Sequence, residues 1–278
     1  MLRSSGAGSR LRRTNPGVSM RLKCVGFIAV CSLLMAGVRV MTVTNGEPDG
    51  NRHPYVGVMI QPIPDRPGYV TVCSGSALSS TLFLTAAHCA DPTRPVYVSY
   101  KSGPPFSLSK DFTPGTFHPH PNWCLGCGPG LPGFDSRDVA VVTLNRRSNP
   151  GAFVALPSVG FVNTLPTGTF VDIVGYGVQG FVAGGGPKQE IFLFTRYFAP
   201  SQLVQSSNVQ STEFIKLTAN PSQGTGGVCF GDSGGPDILS GTDIVLAVNS
   251  YVTNGNCAGV TYSNRVDLPD ILSFIQSF

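Results

Sequence analysis

Short apolar runs recur along the chain from His53 onward, each closed by turn-forming residues. His53–Ile60 and Tyr69–Cys73 read as strands, and Ala77-Leu78 and Leu82–Thr85 continue in short apolar pieces. Val139-Ala-Val-Val-Thr-Leu144 is continuously apolar and predicts a buried strand. Strands this short, with turn signals throughout, suggest an antiparallel barrel or sandwich. The end of the chain changes period. Ile271, Leu272, Ile275 and Phe278 fall on one face of a helix that Asp267 is placed to cap.

Composition agrees with the strand reading. Gly (34) and Pro (23) are plentiful and charged residues make up only 12% of 278, which favours strands joined by turns. The net charge of +4 is misleading. Residues 1–42 hold seven basic side chains and no acids, so residues 43–278 carry 12 basic and 15 acidic groups. The body is therefore not basic, and the electrostatic footprint of a nucleic-acid binder is missing.

The basic start is followed by the apolar run Val25–Val38, 14 residues long. That order reads as a secretory leader, and the run is shorter than the roughly 20 residues a membrane helix needs. The expected organisation is a leader over 1–42 and a body over 43–278, secreted and free of the membrane after processing. Met20 is an alternative start, and an uncleaved anchor or a buried helix is the competing reading of the apolar run. Thr42 is a poor cleavage position. Cys31 lacks the small preceding residue a lipid-attachment site would want.

The strongest chemical signal is Gly231-Asp232-Ser233-Gly234-Gly235-Pro236. Glycines on both sides of a serine allow a tight turn and bring backbone N–H groups close to a bound atom. That suits a hydroxyl nucleophile beside an anion-stabilising pocket. The bland reading is a Gly/Pro turn with an incidental serine. His88, in Thr85-Ala-Ala-His-Cys89, is the candidate base, because imidazole titrates in the right range to take and return the serine proton. Asp138 stands at the entrance of the Val139–Leu144 run, where a half-buried carboxylate can orient a histidine; Asp135 is its rival, and a solvated turn aspartate is the bland alternative. His118 and His120, in a Pro-rich stretch, read as loop residues. No metal, cofactor or calcium-loop signal is found, and Gly184-Gly185-Gly186 lacks the setting of a phosphate loop.

His88, Asp138 and Ser233, in that order and with those flanking motifs, resemble the chymotrypsin-like (trypsin-family) serine proteases over roughly residues 43–278. Val174-Gly-Tyr-Gly177 is similar to the family's Gly-Trp-Gly segment, and Ser250-Tyr-Val252 to its substrate-binding strand. The resemblance implies an all-β fold: two six-stranded antiparallel β-barrels with a C-terminal helix, split at about 43–155 and 156–278. It implies disulfides Cys73–Cys89 and Cys229–Cys257. Cys124 and Cys127 remain, and a short local bridge is the leading reading for them, with a redox or metal role as the alternative.

The implied activity is a secreted serine endopeptidase acting on a protein or peptide substrate as a monomer, without nucleic acid. Ser233 attacks, His88 moves the proton, Asp138 holds the imidazolium, and the N–H groups of Gly231 and Ser233 form the oxyanion hole. Ser250 supports Asp138. Gly227 stands at the base of the primary pocket and Tyr251 and Val252 on its wall, which points to small or medium apolar side chains. Val43 resembles the family's new N-terminus, whose amine would pair with Asp232, yet Thr42 before it excludes trypsin-like cleavage. An esterase with the same groups and a silent binding module on the same scaffold are the competing functions.

Overall fold

The computed structural model describes residue 43 and residues 46–128, 133–181, 189–205 and 212–278. The expected leader and the Gly184-Gly185-Gly186 stretch lie outside the described residues. A two-residue strand, β1 (Glu47–Pro48), comes first. The first barrel follows: β2 (Val56–Pro62), β3 (Val70–Ala77), β4 (Leu82–Thr85), β5 (Val96–Ser99), β6 (Thr113–Pro119) and β7 (Ala140–Leu144), with a short helix, α1 (Leu108–Asp111), between β5 and β6. These strands close antiparallel in the order β2-β3-β4-β7-β6-β5.

The second barrel uses β8 (Phe170–Gly175) and, after the small hairpin of β9 (Gly180–Phe181) and β10 (Glu190–Ile191), β11 (Tyr197–Gln205), β12 (Phe214–Ala219), β13 (Pro236–Leu239), β14 (Val245–Val252) and β15 (Gly259–Arg265). Its order is β11-β12-β15-β14-β13-β8, closed by β8 pairing with β11, and β1 adds to the outside of β11. The closing helix α2 spans Pro269–Gln276. The expected two-barrel, all-β architecture is therefore the observed one.

One apolar cluster fills the first barrel and the seam between barrels, from Val56, Val58, Met59, Phe83, Leu84 and Phe117 across to Val174, Tyr176 and Val248. A second cluster fills the second barrel with Val162, Val171, Ile173, Leu203, Ile215 and Leu217. Arg196, wholly buried, ties the chain before the first barrel to both halves. Its Nε donates to Asp49 Oδ2 at 2.7 Å, and its other nitrogens donate to the carbonyls of Gly50, Val56 and Tyr100. Burial pushes Asp49 up, but hydrogen bonds from His53 and Arg196 outweigh it and hold the carboxyl below its usual range.

Three local expectations need correction. His53-Pro54-Tyr55 is a turn, and β2 starts at Val56, because Asp49 binds both the His53 N–H and Nδ1 and bends the chain there. His118 belongs to β6, and His120 just after it is buried with its ring against Phe274; the ladder to β7 and the buried Phe117 carry the strand through its prolines. Asp267 does not cap α2. Its carboxylate binds Arg265 and the Val162 N–H, while Leu268 and Pro269 start the helix. Ile271, Leu272 and Ile275 are buried as expected, but Phe278 lies beyond the helix and is exposed.

Candidate active site

His88 sits in a single helical turn, Ala87–Cys89, directly after β4. The Cys73–Cys89 disulfide fastens that turn to β3, with Cα atoms 6.1 Å apart. Asp138, fully buried, arrives from the segment that leads into β7. Its Oδ1 accepts the His88 backbone N–H at 2.9 Å, and its Oδ2 lies 2.6 Å from His88 Nδ1. Ser250 Oγ donates to the same Oδ2 at 2.6 Å. A carboxylate on Nδ1 selects the tautomer with its proton there, which leaves Nε2 as the basic lone pair.

Burial alone would lower the His88 pKa. The Asp138 charge and hydrogen bond, helped by the charge of Asp135, outweigh it, and the imidazole ends above its ordinary 6.5. Burial likewise raises Asp138, but the His88 charge, the His88 and Ser250 side-chain bonds and the His88 N–H bring it below 3.8. Asp135, the rival carboxylate, instead accepts the Gly126 N–H at 2.7 Å. His88, Asp135 and Asp138 hold potential metal-ligating atoms within 4.8 Å of one another, but three hydrogen bonds already occupy Asp138.

Ser233 stands in the turn between Cys229 and β13, braced by the Cys229–Cys257 disulfide. Gly231 has φ 96°, a left-handed value that a side chain would strain. The side chain of Asp232 turns inward, where its carboxylate takes the N–H groups of Gly177 and Cys229 at 2.8 and 2.9 Å. Position 177 must be glycine for this, since an added Cβ would stand 2.5 Å from the Asp232 Cγ. Burial pushes Asp232 up to about 7 despite these two bonds. The N–H groups of Gly231 and Ser233 donate to no other described residue.

His88 and Ser233 line one cavity of about 450 Å³ with Val228, Phe230, Ser250, Tyr251 and Val252. No hydrogen bond joins Ser233 Oγ to His88 among the described residues. Gly227 is buried and is not among the lining residues; its neighbour Val228 is. Val43 is buried and packs with Val162, Val171 and Ile173. Cys124 and Cys127 are bridged to each other, so the six cysteines of the body form three disulfides.

Sequence reasoning missed Ser74. Its N–H donates to the Ser233 carbonyl, its Oγ donates to the Gly231 carbonyl, and that Oγ accepts the Tyr176 N–H. One β3 residue thus clamps the Ser233 turn from the opposite barrel, with partners up to 159 residues away in sequence.

A histidine–carboxylate pair from one barrel facing a glycine-flanked serine from another is the arrangement of the two-barrel serine hydrolases. The chain belongs to the trypsin family, whose model matches residues 45–272. Solved structures of similar fold include HL collagenase and GrC. Each has 19% identity and a TM-score of 0.62 over 84% of this chain, with 95% and 97% of those chains covered. A mutant of human heparin binding protein has 16% identity and a TM-score of 0.60, over 84% of this chain and 94% of that one. No curated protein matches the sequence.

Proposed function

We propose that the chain is a secreted serine endopeptidase in which Ser233 is the nucleophile, His88 the general base and acid, and Asp138 the group that fixes the imidazole. The observation that carries this is the 2.6 Å contact between His88 Nδ1 and Asp138 Oδ2, on a ring that shares its cavity with Ser233. Ser233 Oγ attacks a scissile carbonyl and its proton passes to His88 Nε2. The resulting oxyanion takes the free N–H groups of Gly231 and Ser233, each worth about 3 kcal/mol to the transition state. His88 then gives the proton to the leaving amine, and water repeats the sequence on the acyl-enzyme.

Val228 and Val252 line the cavity with branched apolar side chains, which supports a preference for small or medium apolar side chains. Three disulfides and the leader pattern support export. No helix among the described residues is long and apolar enough to cross a membrane. Release of Val43 as a new N-terminus would supply a cation for Asp232, and N-terminal sequencing of the secreted protein tests that start.

A fluorophosphonate probe tests the chemistry. Labelling on Ser233 that disappears in His88→Ala supports it; mature protein that takes no label is a binding module instead. Cleavage of a peptide library, as against simple esters alone, separates a peptidase from an esterase and reads the pocket.

A further inference from the structure

The segment carrying Asp138 pairs within the β6–β7 connection of its own barrel through Cys124 and Ser136, and it also reaches the second barrel. Arg137, the residue before it, has φ 53°, a conformation rare for a residue with a side chain. Its carbonyl accepts the Val139 N–H at 2.7 Å, closing a three-residue turn with Asp138 at the centre. The Arg137 guanidinium bridges two carboxylates, Glu213 at the start of β12 and Asp270 in α2. Glu213 also takes the Ser136 hydroxyl at 3.0 Å and the Arg137 N–H at 3.4 Å. The ring of Phe134 stacks on Tyr251 at 4.0 Å and contacts Phe214 and Tyr262. Residues 134–138 are therefore docked on the second barrel on both sides of Asp135.

We propose that Arg137, held by Glu213 and Asp270, is a positioning residue that sets the turn aiming the Asp138 carboxylate at His88. The inference rests on the protease reading above. A purely structural tie between the first barrel and α2 is the competing account, and the two differ in what happens to His88. His88 faces Asp138 and Asp135; Arg137 faces Glu213 and Asp270, with His120 against the same group. Removing the Arg137 charge alone would raise the His88 pKa, since one nearby cation fewer favours the imidazolium. Misplacing Asp138 would lower it, since the imidazolium loses its partner.

The test uses the processed full-length domain with Arg137→Ala, Arg137→Gly and Arg137→Lys. His88 is titrated by NMR with His120 followed separately, and kcat and KM are measured on a peptide substrate. Expected for Arg137→Ala is a kcat lower by about tenfold to a hundredfold, the scale of a small misalignment, with KM within about twofold and the His88 midpoint moved down. Arg137→Gly, which relieves the backbone but loses both ion pairs, behaves the same way. Arg137→Lys, which keeps the charge without the planar fork, falls between. A His88 midpoint that stays or rises, or a kcat that keeps its wild-type value while thermal stability falls, overturns the proposal. Arg137→Gln carries the same readouts if the alanine variant does not fold. Wild-type protein that neither labels nor hydrolyses defeats the protease reading, whereas the His88 titration still tests the positioning.

Discussion

The two barrels share a strand count and little of their interior chemistry. Inside the first, the side chains of Met59, Phe83, Val98, Phe117 and Val142 share one face of the strands and make an apolar filling. The second encloses Asp237, Asn249, Thr261 and Ser263 beside its valines and leucines. Asp237 pairs with Ala247 and Ile173 and so faces inward, where no side chain among the described residues meets its oxygens in good hydrogen-bond geometry. The nearby Ser263 hydroxyl donates to Asn249 Oδ1 instead. Burial, opposed in part by Ser263, pushes Asp237 up to about 7. The first barrel is thus an apolar mount for His88, while the interior of the second, which carries Ser233, holds an ionisable group at a cost.

The largest expected effect crosses both halves. Asp138→Asn from the first and Ser233→Ala from the second each lower kcat by on the order of 10⁴-fold or more. The double variant falls little further, because the residues act as a unit; additive losses would show that the two barrels contribute independently. In the wild type, kcat/KM rises with pH through a midpoint above 6.5, because Asp138 holds the His88 proton on. A midpoint at or below 6.5 contradicts the observed pairing.

Core truncation should separate the barrels next. Phe83→Ala removes a fully buried ring from the first barrel and is expected to cost about 3–5 kcal/mol, read from urea unfolding. A loss under 1 kcal/mol would mean that the apolar mount is not what holds the first barrel. Disulfide removal follows. The Cys229–Cys257 bridge in the second barrel closes 28 residues and Cys73–Cys89 in the first closes 16, so each is worth about 3–4 kcal/mol, whereas Cys124–Cys127 closes 3 and contributes about 1.5 kcal/mol. Melting temperatures of the paired serine variants check that ranking.

The smallest effect reports on the buried acids. Asp237 binds its proton more tightly folded than unfolded, so folding takes up a proton between the unfolded value of 3.8 and about 7. Its contribution to stability is full below pH 4 and lost as pH rises through about 7. The slope is on the order of 1 kcal/mol per pH unit in that window. Asp237→Asn should flatten it and stabilise the protein above pH 7; an unchanged slope assigns the pH dependence to Asp232, which has the same upward shift.

Much of this was legible in the residues. The motifs around His88 and Ser233 are local, so their glycines, cysteines and small residues report directly on turns and bridges. The choice between Asp135 and Asp138 was less secure, because both precede the same strand and only the hydrogen bonds distinguish them. The cap on α2 was misread because Asp267 found stronger partners in Arg265 and the Val162 N–H. Tertiary hydrogen bonds outcompeted a local rule.

The sequence by itself determined the alternation that makes strands, the spacing of the cysteines, the glycine turn around Ser233 and the family. Each depends on neighbours in the chain. Tertiary structure alone decided that Ser74 clamps the Ser233 turn, that Arg196 is buried against Asp49, and that Glu213 and Asp270 grip the residue before Asp138. Those partners lie between 76 and 159 residues apart. No local pattern encodes them, because they join segments far apart in the chain that only the closing of the two barrels brings together.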